Sequence, residues 1–150
     1  ICDYIFNCDG VRVALLTSVL CISGKTASAY NIGGGDVLLL RKGKLRHIVK
    51  KNESFAGSFA GEGGCSFERS QELELENGDS FAVCCDAVIN AVSDKELAEI
   101  MQNEPSSKET AAAIIRKAME NGAEEALTAA VVKYTDAPDK KQGFFGWFFK

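Results

Sequence analysis

The side chains of this sequence that offer chemistry are a few acids, one histidine and a set of thiols. Asp86 directly follows the apolar run 81–85, Glu125 lies in Asn121-Gly122-Ala123-Glu124-Glu125, and Asp9 lies in Asn7-Cys8-Asp9-Gly10. On residue pattern alone each has a plain role: Asp86 caps the turn after a buried strand, Glu125 is an exposed loop acid, and Asp9 is a turn residue. His47, the sole histidine, alternates with Arg46 and Ile48 and has no evident partner, so it reads as a sheet-face residue rather than a general base. Six cysteines (Cys2, Cys8, Cys21, Cys65, Cys84 and Cys85) match no zinc spacing and read as small buried thiols of a cytosolic protein. Cys84 or Cys85 as a nucleophile would need a base, and a single histidine makes that a poor reading. Gly33-Gly34-Gly35 follows a strand but opens no helix, which excludes a phosphate-cradling nucleotide loop.

The elements that must position these residues are strands first and helices late. Residues 11–22 form a long β-branched apolar run, Ser23-Gly24 turns it, and 25–32 continues as the second arm of a hairpin. Residues 37–40 are a buried-type strand, Lys42-Gly43 is a turn, and 44–49 returns with alternation of period two. Residues 51–66 read as a loop, 72–76 as a half-wet strand, Asn77-Gly78-Asp79 as a turn, and 81–85 as a strand buried on both faces. Ser93-Asp94-Lys95-Glu96 and Ser106-Ser107-Lys108-Glu109 are two capping boxes. Leu97, Ile100 and Met101 follow the first; Ala111, Ile114, Ile115, Ala118 and Met119 make one stripe after the second, stopped by Asn121-Gly122. A last strand covers 127–134. The expected class is α+β: antiparallel sheet layers with two late helices, in a domain spanning 1–135.

At 150 residues, with 46% apolar and 25% charged side chains, the chain has the composition of a soluble globular domain. A net charge of -4 and the lack of a basic stripe exclude nucleic acid as a partner. No apolar run spans a bilayer, and residues 1–10 lack the basic start of a signal peptide. Residues 136–150 form a linker and a tail with five aromatics in eight residues. Phe144, Phe145, Trp147 and Phe148 there suit contact with a membrane interface, which would place a cytoplasmic protein near a membrane.

Three successive pieces carry a resemblance. The first is Asn31-Ile32-Gly33-Gly34-Gly35-Asp36-Val37 running on to Leu45. The second is Leu75-Glu76-Asn77-Gly78-Asp79-Ser80-Phe81-Ala82-Val83-Cys84-Cys85-Asp86-Ala87 with the helix opening at Ser93. The third is Asn121-Gly122-Ala123-Glu124-Glu125-Ala126-Leu127-Thr128 before the last strand. In order and spacing they resemble the Asn-Val-Gly-Asp-Ser-Arg, Ser-Asp-Gly and Gly-x-x-Asp-Asn-Ile-Thr segments of the bacterial metal-dependent type-2C protein phosphatases. The resemblance implies phosphoester hydrolysis at two divalent cations, Mn or Mg, bound by carboxylates. It assigns Asp86 to the Asp of Ser-Asp-Gly, Glu125 to the Asp of Asp-Asn, and Asp9 to an early Asp-Gly.

The pattern is altered. Gly34 stands where the family has Asp, with Asp36 two places on. Cys85 and Ala87 flank Asp86, and Ala126 replaces the Asn. The family places two long helices after the early Asp-Gly, whereas here a strand follows at once, so a sheet face is left for a second copy of the chain or another segment to cover.

Three readings follow. One is a catalytically impaired phosphatase-like domain that binds a protein partner or regulates. The second is a working Mn/Mg-dependent serine/threonine phosphatase, or the C-terminal part of one, acting on phosphoproteins. The third is a membrane-proximal cytosolic structural module.

Overall fold

A computed structural model of the chain describes residues 17–32, 34–50 and 68–136. The tail aromatics, Asp9, Cys2, Cys8, Cys65 and the expected loop 51–66 lie outside these residues.

Two antiparallel sheets stack face to face. In the first, β1 (Thr17–Ser23) and β2 (Thr26–Ile32) form the expected hairpin, with Gly24 at φ +57 in its turn; β5 (Glu68–Arg69) and β6 (Leu73–Glu74) pair with the other edge of β2. The second has the order β4-β3-β7-β8, from β3 (Asp36–Arg41), β4 (Lys44–Val49), β7 (Ser80–Cys84) and β8 (Ala129–Lys133). Lys42 and Gly43 both take positive φ in the β3–β4 turn, the geometry whose twist matches a tight hairpin. The half-wet strand expected over 72–76 pairs only at Leu73–Glu74.

Burial explains the apolar runs. Leu38, Leu40, Ala82 and Cys84 face the helices, while Val37, Leu39 and Phe81 face Leu20, Ala27 and Ala29 of the first sheet. β3 and β7 are therefore buried on both sides, and each alternate side chain belongs to a different core. The period-two alternation expected through Val49 breaks at a bulge: Val37 opposes Val49 and Leu38 opposes His47, so Ile48 is the extra residue. This sends both Ile48 and Val49 into the inter-sheet core, while His47 keeps to the helix side.

Among the described residues there are three helices rather than the two expected. The additional one, α1 (Asp86–Ala91), leaves the end of β7 directly; α2 (Asp94–Asn103) and α3 (Ser107–Glu120) follow. Six residues with no capping signal are too short to announce themselves, and tertiary packing of Val88 holds the helix. Ser93 and Glu96 make the full reciprocal capping box of α2. At α3 only half of it forms: Ser106 accepts from the Glu109 amide, but its hydroxyl donates to the Glu109 carboxylate at 2.6 Å. The apolar stripe of α3 is also turned from the expected one. Thr110, Ala113, Ile114 and Ala118 are buried, and Met119 is 63% exposed.

Ser93 donates its hydroxyl, and its backbone amide, to the Glu96 carboxylate, and Lys117 adds an ion pair at 3.1 Å. Together these hold the Glu96 pKa down at about 2. A carboxyl that titrates lower when folded adds stability above its unfolded pKa and loses it as pH falls. Glu96→Gln is thus expected to be less stable than the parent at pH 7 and to converge with it between about pH 4.5 and 2, measured by urea unfolding across that range.

Among the described residues all helices lie on one side of the second sheet. The outer face of the first sheet carries Val19 and Cys21, both exposed. Cys21 thus departs from the expectation of buried thiols, because its strand position points away from Leu20 and the core.

Candidate functional site

The turn from β7 into α1, the Gly34-Gly35 segment before β3 and the loop before β8 meet at one cleft, of about 560 Å³. Asp86 and Glu125 both line it, as do Ser18 and Gly34. The topology brings these together because β3 and β8 flank β7, so their cleft-side ends lie beside its C-terminal end.

Each wall is held by specific bonds. Gly35 sits at φ +73, and a Cβ there would meet the Cys84 carbonyl oxygen at 2.3 Å, so only glycine lets the segment press against β7. The Gly35 amide donates to Asp86 Oδ1, Asn31 Nδ2 donates to the Gly35 carbonyl, and Ser18 Oγ donates to the Gly34 carbonyl at 2.6 Å. Cys85 stands where the resembled motif has Ser, and its sulfur takes on bridging bonds. It accepts from the Thr128 amide at 3.2 Å and donates to the Ala126 carbonyl at 3.6 Å, while its own amide reaches the Thr128 carbonyl at 3.1 Å. The loop bearing Glu125 is latched to β7 in this way. Cys84 is buried on the helix side, and burial first, then Cys85 and Asp36, push its thiol up to about 12, which removes it as a nucleophile at neutral pH.

His47 has partners the sequence did not reveal. Nδ1 bonds the buried Asp36 carboxylate, and Nε2 meets Asp94 Oδ1 at 3.0 Å on the first turn of α2. Leu38 pairs with His47, and Asp36 opens the same strand, so the bulge aims the ring at Asp36. Asp94 is 47 positions away in sequence, which is why spacing gave no hint. The histidine ties β4 to α2 and stays out of the cleft.

Of the three acids singled out by sequence, Asp86 and Glu125 share the cleft and Asp9 lies outside the described residues. Among the described residues the carboxylates that line the cleft are two, those of Asp86 and Glu125. One oxygen of Asp86 already takes a backbone amide, Gly34 supplies no carboxylate, and among the described residues no three His, Cys, Asp or Glu side chains gather to hold a metal ion.

No protein-family model matches the chain, and no curated protein matches it. Solved structures do. A serine/threonine phosphatase of S. agalactiae superposes with a TM-score of 0.75 at 16% identity, over 90% of this chain and 65% of its own. PppA of Pseudomonas aeruginosa, described as a key regulatory component of a T6SS, gives 0.71 at 20% identity over 83% and 60%. The catalytic domain of the serine/threonine phosphatase PstP, in complex with two manganese ions, gives 0.66 at 22% identity over 81% and 59%. The chain thus spans about three fifths of the length of these structures. Two stacked antiparallel sheets, a glycine-tight cleft at the end of β7 and these superpositions together establish that the chain has the fold of the type-2C serine/threonine phosphatases.

Proposed function

We propose that the chain, with 1–135 as its domain, is a phosphatase-fold module with an impaired metal site that works by binding a protein partner. The observation that supports this reading is the bond of Asp86 to the Gly35 amide, beside a glycine, Gly34, where the resembled motif has Asp. A hard divalent cation needs several oxygen donors to offset its dehydration, and two carboxylates, one already engaged, are a small set. The test is calorimetry with MnCl₂ and MgCl₂, combined with hydrolysis of a phosphothreonine peptide. We expect no saturable binding below millimolar metal and no metal-dependent turnover. Manganese-dependent turnover abolished by Asp86→Ala would overturn the reading.

That last outcome would support the second reading, an active Mn/Mg-dependent phosphatase of phosphoproteins or part of one. It is favoured by the lining of a single cleft by Asp86 and Glu125. In it, those two carboxylates, with Asp9 as the third expected ligand, would hold the cations, which supply Lewis-acid activation of water.

No helix among the described residues is long and apolar enough to cross a membrane. A cytoplasmic, membrane-proximal setting rests on the tail aromatics Phe144, Phe145, Trp147 and Phe148. Cosedimentation with anionic liposomes, lost on replacing all four by serine, is the outcome that supports it.

A further inference from the structure

Among the described residues β8 is an edge strand that pairs only with β7. Its sequence, Ala-Ala-Val-Val-Lys, carries neither proline nor bulge. Its one charge, Lys133 at the C-terminal end, is turned to the Glu104 carbonyl on the helix side, leaving 129–132 without a device that blunts an open edge. Its hydrogen-bonding parity is readable. The Thr128 carbonyl accepts from Cys85, and Tyr134 exchanges bonds with Asp79 and Gly78, so the even-numbered residues aim their backbone groups at β7. By alternation Ala129, Val131 and Lys133 present theirs outward. Alongside this edge runs an apolar groove on α3, lined by Ala111, Ala112, Ile115 and Met119 with Ala129 as its floor. Met119 is the most exposed large apolar side chain of the described fold, at 63%.

We propose that this edge and groove pair with a second copy of the chain, antiparallel, centred on Val131, to continue the four-stranded sheet across a two-fold axis. Three observations select a second copy. First, centring on Val131 sets Ala129 against the partner's Lys133 and Val131 against the partner's Val131. Only outward-facing residues then oppose one another, and each pair exchanges two hydrogen bonds. Second, the sole charge of the strand, Lys133, falls opposite an alanine, so no like charges meet. Third, a two-fold axis normal to the sheet brings both α3 helices together on the same face, antiparallel. The exposed Met119 of each then has a groove of small alanines beside it, and the flanks offer Arg116 and Glu120 as unlike charges. The surface is self-complementary, as an isologous interface requires.

The test is sedimentation velocity of the 150-residue chain from 1 to 200 μM, with amide exchange on the same samples. We expect a concentration-dependent shift to twice the 16.1 kDa chain mass. Ala129, Val131 and Lys133 amides should become protected as the dimer fills. Met119→Glu changes an exposed helical position and should fold normally, yet raise the dimer dissociation constant at least tenfold. Ala129→Pro removes one outward amide, which an edge strand tolerates, and should do the same. A chain that stays monomeric throughout overturns the proposal; if its β8 amides are then protected, another segment of the same chain covers the edge. A dimer indifferent to both substitutions overturns it as well, because the interface then lies elsewhere.

Discussion

Gly35→Ala is expected to destabilise the fold by about 4 kcal/mol, combining a left-handed backbone imposed on a side chain with an overpacked contact. The φ of +73 is one part. The larger part is that the new Cβ would stand 2.3 Å from the Cys84 carbonyl oxygen, and that oxygen belongs to β7, the strand buried on both faces. Neither side has room to retreat. Gly35 is held by Asp86 and Asn31, and β7 is paired on both edges. The melting temperature should fall by roughly 8–16 °C, read by circular dichroism. The Asp86 carboxylate would lose its amide donor at the same time, so any ligand of the cleft should bind more weakly than the loss of stability explains. By contrast Gly24→Ala, whose Cβ meets nothing within 4 Å, carries only the backbone penalty and should cost about 1 kcal/mol. A Gly35→Ala protein as stable as Gly24→Ala would sink the account.

The second large effect is expected far from the cleft. Arg41 grips Asp79 with two bonds, at 2.8 and 2.7 Å, and also reaches Glu76 at 3.0 Å and the Glu74 carbonyl at 2.7 Å. Asp79 is 1% exposed. Burial alone would raise its carboxyl; the bonds from Arg41 and from the Glu76 amide outweigh that and leave it below the usual carboxylate range. Arg41→Ala removes the cation and strands a buried carboxylate, at a cost of about 3 kcal/mol at pH 7. The sign with pH follows. In the parent the depressed carboxyl stabilises above its unfolded pKa, and that contribution fades as pH falls below about 4. In Arg41→Ala the carboxylate is the burden, so the deficit relative to the parent should shrink on acidification. Urea unfolding at pH 7 and pH 4 measures both; a deficit that grows toward pH 4 would refute the argument.

How much of this could be read from sequence depended on distance along the chain. The hairpins were legible because Gly24 and Lys42-Gly43 break apolar runs with residues that take positive φ, although the first turn falls on Gly24-Lys25, one residue later than the expected Ser23-Gly24. The double burial of β7 was legible because Phe81-Ala82-Val83-Cys84 has no polar alternate. The site was partly legible. Asp86 and Glu125 were picked out by motif, and the fold does bring them to one cleft. What sequence could not show were relations fixed by tertiary packing. The contact of Gly35 with Cys84 spans 49 positions, and the His47 bridge joins Asp36 to Asp94. The rotation of the α3 stripe that leaves Met119 exposed was missed for a related reason. Ala111, Ile115 and Met119 satisfy helical spacing as well as the buried set does, and only the position of β8 decides which face is covered.

The pairing order β4-β3-β7-β8 also sets a timetable for the emerging chain. The β3–β4 hairpin closes over two residues and can form as soon as it leaves the ribosome. Its other edge must wait for β7, since Asp36 pairs with Cys84, and β7 in turn waits for β8, since Cys84 pairs with Ala129. Both long closures converge on Cys84, so the second sheet is completed in two ordered steps, and the far edge of β7 stands open until β8 has been made. A ribosome stalled before residue 129 should therefore present a nascent chain that proteases and holdase chaperones recognise, and release past residue 136 should close it.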